Sequence, residues 1–196
     1  MKPGSNPCAQ RALMNQRRRE LGHAEIRIAS ASVCKKLWQI PALRRAKRVA
    51  IYMSVAGEID CHPIAETAWL RKMRVFAPVL TGKQLIFAPL DKDTPLQSNR
   101  YGILEPVYKR AQCVSAKHLD VVITPLLAFD RNGNRLGMGA GFYDRTFAFM
   151  RHRKKLRRPL LIGVAYDFQQ VSDLQPAAWD VPLHAVITEK ESYGSY

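Results

Sequence analysis

HLDVVITPL, residues 118–126, is the stretch that decides the fold. Val121, Val122 and Ile123 follow one another with no polar residue between them. A strand with one wet face alternates apolar and polar side chains, whereas an unbroken apolar run suits a strand covered on both faces, as inside a parallel sheet. VAIYMSV (49–55), LLIGVAY (160–166) and the shorter HAVIT (184–188) read the same way. RVFAPVL (74–80) and QLIFAPL (84–90) are strand-like as well.

Helical patterns separate these runs. Leu21, Ala24 and Ile28, then Ile26, Ala29, Val33 and Leu37, recur at steps of three and four. This spacing predicts one long N-terminal helix starting near residue 9, with Pro41 closing the region. HPIAETAWLRK (62–72) places Pro63 where a first helical turn accepts it. Strands alternating with helices in this order predict an α/β fold of three layers, α/β/α, with a mostly parallel mixed sheet. No linker-like stretch divides the 196 residues, so a single domain over 1–196 is expected.

No apolar run approaches the roughly 20 residues of a membrane span, and MKPGSNPCAQRAL opens without the apolar core of a secretion signal. The expectation is a cytoplasmic protein with no membrane partner, and a monomer by default. Cys8, Cys34, Cys61 and Cys113 lie far apart and form no zinc-binding pair. Free thiols are expected.

The charge balance is unusual. Thirty-one Lys and Arg against 16 Asp and Glu give a net charge of +15. Such a balance implies or tolerates polyanions. Two basic tracts, 17–19 and 151–158, suggest a nucleic-acid footprint, but neither is interleaved with stacking aromatics. They read better as a solvated helix face and a solvated loop, so nucleic acid is not the expected partner.

RLGMGAGFYDR (135–145) carries the chemistry. Gly137, Gly139 and Gly141 fall at every second position and lead into an aromatic-rich helical segment, FYDRTFAFM (142–150). Glycine permits positive φ and removes the Cβ that would block approach, so such a loop can aim several backbone N–H groups at phosphate oxygens. The spacing alone is weak, because it lacks both the last glycine of G-x-G-x-x-G and the Lys-Ser/Thr of a Walker loop. Arg135 before it and Asp144 after it add a guanidinium suited to phosphate and a carboxylate suited to Mg²⁺.

ITPLLAFDRNGNRLGMGAGFYDRTF (123–147) closely resembles the signature of the 5-formyltetrahydrofolate cyclo-ligases, also called 5,10-methenyltetrahydrofolate synthetases. IYMSVAGEID (51–60), YGILEP (101–106) and WDVPLHAVIT (179–188) resemble further segments of that family in the same order. The resemblance implies a fold similar to ribose-phosphate isomerases and CoA transferases, and an ATP- and Mg²⁺-dependent cyclisation of 5-formyltetrahydrofolate, with or without a polyglutamate tail, to 5,10-methenyltetrahydrofolate through a phosphorylated formyl group. It places Arg11, Arg135, Leu136, Gly137, Met138, Gly139, Ala140, Gly141, Phe142 and Tyr143 at ATP. It places Met53, Glu58 and residues 138–142 (Met138, Gly139, Ala140, Gly141, Phe142) at the folate, and Asp144 and Asp180 at Mg²⁺. Arg135, Tyr143 and Asp144 become the expected catalytic group. Read without the resemblance, Asp180 is a capping or loop residue.

The sequence departs from the family at Pro7, where the first of two basic residues is usual, leaving Arg11 alone or helped by Lys2. Ala140 and Cys61 are smaller departures, neither of which removes a group the chemistry needs. Two other readings compete: a nucleic-acid-binding module, which leaves Glu58, Asp144 and Asp180 without a role, and the same fold turned to another substrate.

Overall fold

The computed structural model describes residues 6–55, 57–151 and 158–194. Helix α1 (Pro7–Arg19) starts on Asn6, whose side chain accepts from the Cys8 N–H. Helices α2 (His23–Leu37) and α3 (Pro41–Arg44) follow. The expected single N-terminal helix is therefore two. Gly22 breaks it: its N–H donates to Glu25 Oε2 at 2.8 Å and its carbonyl accepts from Ile26, which starts α2 afresh.

Strand β1 (Arg48–Ala50) leads through a loop to α4 (His62–Leu70). The hairpin of β2 (Arg74–Thr81) and β3 (Gln84–Pro89) comes next, then a small hairpin of β4 (Leu96–Ser98) and β5 (Leu104–Pro106). Strand β6 (Val121–Thr124) precedes a second small hairpin, β7 (Ala128–Phe129) with β8 (Arg135–Leu136). Helix α5 (Phe142–Phe147), β9 (Leu160–Val164), β10 (Ala185–Ile187) and β11 (Ser192–Gly194) complete the chain.

The main sheet runs β11-β10-β9-β6-β1-β2-β3. Its five central strands are parallel, and β3 and β11 close the two edges antiparallel. This is the expected mostly parallel mixed sheet. The unbroken apolar runs are explained by the period-2 geometry of a strand between two helical layers. Val49, Val75, Val121, Ile123, Ile162 and Ile187 face one cluster, packed with Val33 and Leu37 of α2 and Ile64 of α4. Their neighbours Ala50, Phe76, Val122, Leu161 and Val186 face the other, with Phe147 of α5, Phe87 and Phe129. Each large side chain so buried contributes about 1.5–3 kcal/mol.

The stretch 49–55 is shorter as a strand than its sequence suggests. Its ladder ends at Ala50, and the residues beyond it turn upward to line a cavity. Among the described residues no helix is long and apolar enough to cross a membrane. The four cysteines are free thiols, as expected.

Candidate active site

The chain passes from β1 to β2 on one side, then returns to place β6 on the other. Open α/β sheets leave a crevice where the order reverses in this way, at the carboxyl ends of the strands. Tyr52 and Met53 after β1, and Pro125 and Leu126 after β6, line a cavity of about 610 Å³ at that place. The glycine loop, α1 and the tip of the β4–β5 hairpin supply its other walls. All the residues expected at ATP, folate and magnesium line this one cavity.

Two of the loop's glycines are demanded by the backbone. Gly139 has φ +98° and Gly141 φ +65°, a region L side chains avoid. Gly137 is different: its φ is not positive, and a Cβ there would meet nothing within 4 Å. The fold does not require glycine at 137. Helix α5 has only six residues, so the anion-binding capacity lies in the loop amides more than in a helix end.

Arg11 reaches from α1 to the loop, where its Nε donates to the Gly137 carbonyl at 2.9 Å. Pro7 occupies the first turn of α1, and Lys2 lies outside the described residues. Arg145, to which the sequence assigned no role, clamps the loop from the far side. It donates to the Ala140 carbonyl at 2.6 Å and to that of Lys83 at 2.7 Å, and its guanidinium lies over the Phe142 ring.

Arg135 and Asp144 form an ion pair of 2.6 Å, and Arg135 also donates to the Val181 carbonyl. Asp144 Oδ1 accepts weakly from the Val181 N–H, at 3.3 Å. The neighbouring Asp180 accepts from Ala177 N–H through Oδ2, closing its own loop in the manner expected of a capping residue. Oδ2 of Asp144 and Oδ1 of Asp180 make no hydrogen bond among the described residues. No group of three or more His, Cys, Asp or Glu that could hold a metal occurs among the described residues.

Glu58 lines the same cavity. Its carboxylate accepts from Val55 N–H at 3.1 Å and pairs with Arg18 at 3.1 Å. Arg18 corrects the reading of the 17–19 tract as a solvated face, because its side chain is only 4% exposed and its Nε has no partner. Arg17 is also engaged, over the Phe168 ring at 4.4 Å. Of the second tract only Arg151 and Arg158 are described; residues 152–157 lie outside. Burial pushes the Glu58 carboxyl above the usual carboxylate range, and Arg18 draws it partly back.

Burial likewise raises the Tyr143 phenol far above its ordinary value, so it is a neutral donor at working pH. Tyr101, Met138 and Trp179 stand at the rim, the last two 64% and 65% exposed. Exposed apolar groups beside a cavity suit a flat ring system. Tyr101 packs edge-on to Phe142 at 6.0 Å. Buried Glu105 holds this wall by accepting from Leu80 N–H and Asn99 Nδ2. Both belong to the YGILEP segment, the signal that could have found them.

Residues 6–189 match the model of the 5-formyltetrahydrofolate cyclo-ligase family. A 5-formyltetrahydrofolate cyclo-ligase of Haemophilus influenzae is 38% identical over 81% of this chain and 84% of its own. The one from Escherichia coli K12 is 37% identical over 90% and 96%. Among solved structures, the 5,10-methenyltetrahydrofolate synthetase of Aquifex aeolicus superposes with a TM-score of 0.79 at 30% identity, covering 96% of this chain and 92% of that one. The synthetase of Mycoplasma pneumoniae, at 23% identity and TM-score 0.72 over 94% and 99%, shares the fold.

Proposed function

The chain belongs to the 5-formyltetrahydrofolate cyclo-ligase family and is an enzyme of that type, and from this premise we propose that it closes 5-formyltetrahydrofolate to 5,10-methenyltetrahydrofolate at the expense of ATP. A formamide-like carbon is a poor electrophile with a poor leaving group. Transfer of the γ-phosphoryl group of ATP to the formyl oxygen, releasing ADP, corrects both. N10 then attacks the carbon, loses its proton, and the C–O bond breaks to release phosphate.

Catalysis of such a step rests on positioning and on stabilising charge at the moving phosphoryl group. The observation that carries the assignment is the single cavity that brings the glycine loop, Arg11 and Arg135 together with Glu58 and Met53. The bare Gly137, unneeded by the fold, supports close approach of phosphate to the loop. Arg135 would take phosphate oxygens, and the neutral Tyr143 phenol would donate without adding charge. Glu58 and Met53 would hold the folate, with Tyr101 and Trp179 flanking its rings.

Asp144 and Asp180 would hold Mg²⁺. Two neighbouring carboxylates with spare oxygens fit an ion completed by substrate phosphates, which is how Mg²⁺ is commonly bound. When bound, the ion neutralises phosphate charge.

The test is near-ultraviolet absorbance, where methenyl folates absorb, on mixing protein with 5-formyltetrahydrofolate and Mg-ATP. A rise that requires both ATP and Mg²⁺ is expected. A rise without ATP would overturn the phosphoryl-transfer route.

A further inference from the structure

The catalytic cavity does not account for the positive charge of this protein. Three cations line it, Arg11, Arg18 and Arg135, against four carboxylates, Glu58, Glu105, Asp144 and Asp180. At the opposite end of the sheet, where β1 and β2 begin, a second cavity of about 630 Å³ is lined by Arg44, Lys47, Arg48, Arg71, Lys72 and Arg74. Ala46 and Met73 complete its wall, and no Asp or Glu lines it.

The six cations come from two separate segments, 44–48 and 71–74, brought side by side by the parallel register of Arg48 with Arg74. None of the six forms an ion pair among the described residues. The neighbouring carboxylate, Asp120, already accepts from the backbone N–H groups of Lys47 and Arg48 and pairs with Arg158. Two guanidiniums are steadied by rings, Arg71 over Trp38 and Arg74 over Phe76. Like charges gathered around one concavity repel each other and focus a strong positive potential into it.

Backbone strain points to the same place. Lys72 has φ +58°. It follows α4 in a closing turn in which Met73 N–H donates to Ala68 and Lys72 N–H to Trp69, a position that glycine usually fills. A lysine there strains the backbone and adds one more charge to the crowd.

We propose that this cavity binds a compact polyphosphate anion, a chain of three or more phosphates, at a site separate from the catalytic one. Its volume falls in the range of small-ligand pockets, roughly 300–1,000 Å³. Six cations line it, and no aromatic ring lines it for bases to stack on, which favours a compact anion over a nucleic acid. The phosphate chain has two sources, inorganic polyphosphate and the triphosphate of a nucleotide.

Hydrogen exchange of the full chain tests the site. Inorganic tripolyphosphate should slow exchange saturably in segments 44–48 and 71–74, at physiological salt. If a non-hydrolysable ATP analogue protects the same segments, nucleotides are a source; if it protects only the glycine loop, the ligand is the inorganic chain. Arg44→Gln with Arg71→Gln should weaken tripolyphosphate at least about tenfold. Cyclisation measured without polyphosphate should stay unchanged, since neither residue touches the catalytic cavity. Lys72→Gly should raise Tm by relieving the strain and yet weaken the anion, a pair of opposite effects that a merely structural lysine would not give. Protection absent from both segments, undiminished in the variants, or produced only by duplex RNA would overturn the proposal.

Discussion

Arg18 and Glu58 carry the sharpest consequence of a single contact. Two buried charges at 3.1 Å stabilise a fold little, because desolvation offsets their attraction. What the pair does is draw the Glu58 carboxyl partly back toward its ordinary value against the upward push of burial. Tyr52, Cys61, Tyr143 and Tyr166 also face Glu58, and burial raises each of them, so they stay neutral. Arg18→Met should move the acid limb of kcat/KM for the folate to higher pH, and Glu58→Gln should abolish that limb. A limb that stays put in Arg18→Met would show that Glu58 is governed by something else. The stability sign follows from the raised carboxyl: folding favours its protonated form. That contribution is present below the usual carboxylate range and lost as pH climbs through the raised value. In Arg18→Met, Tm should therefore fall more steeply with rising pH than in the wild type. Asp144→Asn should cost about 100-fold in kcat through misplaced phosphate and metal while Tm holds. Undiminished turnover at limiting Mg²⁺ would remove Asp144 from the site.

The glycine loop and the hairpin before it act as one element. Gly137→Ala adds a methyl group into open space at an ordinary φ, so Tm should stay near wild type while ATP affinity falls. Gly139→Val forces a branched side chain to φ +98° and should lose both, with about 1–3 kcal/mol of strain. Wild-type ATP affinity in Gly137→Ala, read by calorimetry, would dismiss the phosphate cradle. The hairpin's turn depends on fully buried Asp130, which accepts from the N–H groups of Asn132, Asn134 and Leu174 and from Asn134 Nδ2. Asp130→Ala strands these donors and should cost at least about 3 kcal/mol, visible as a lower denaturation midpoint. The Asn132-Gly133 turn was legible in sequence. The acceptor that organises it was not, since one of its partners, Leu174, is 44 residues away.

Across the whole molecule, charge and chemistry are separated. The +15 surplus lies outside the catalytic lining, so under the proposed function it would act on anionic substrates through long-range attraction, which salt screens beyond about 8–10 Å. kcat/KM should therefore fall as ionic strength rises at fixed free Mg²⁺. A flat profile would mean that the surplus plays no part in encounter. The sheet order also explains where the cavity lies: the reversal between β1 and β6 opens a crevice that neither strand forms alone.

The sequence by itself determined the layers and the makeup of the loop. Unbroken apolar runs such as Val121, Val122 and Ile123 have one stable setting, between two helical layers, and the glycine loop with Arg135 and Asp144 is continuous in the chain. Only the tertiary structure decided what each charged side chain faces. Arg17, Arg18 and Arg19 look alike in sequence. Burial against Glu58 makes Arg18 part of the cavity, a ring contact engages Arg17, and Arg19 stays exposed. Arg44 and Lys72 likewise line one cavity because β1 and β2 pair in parallel register. Charge has no periodicity to read. Its effect depends on distance and burial, which long-range packing sets.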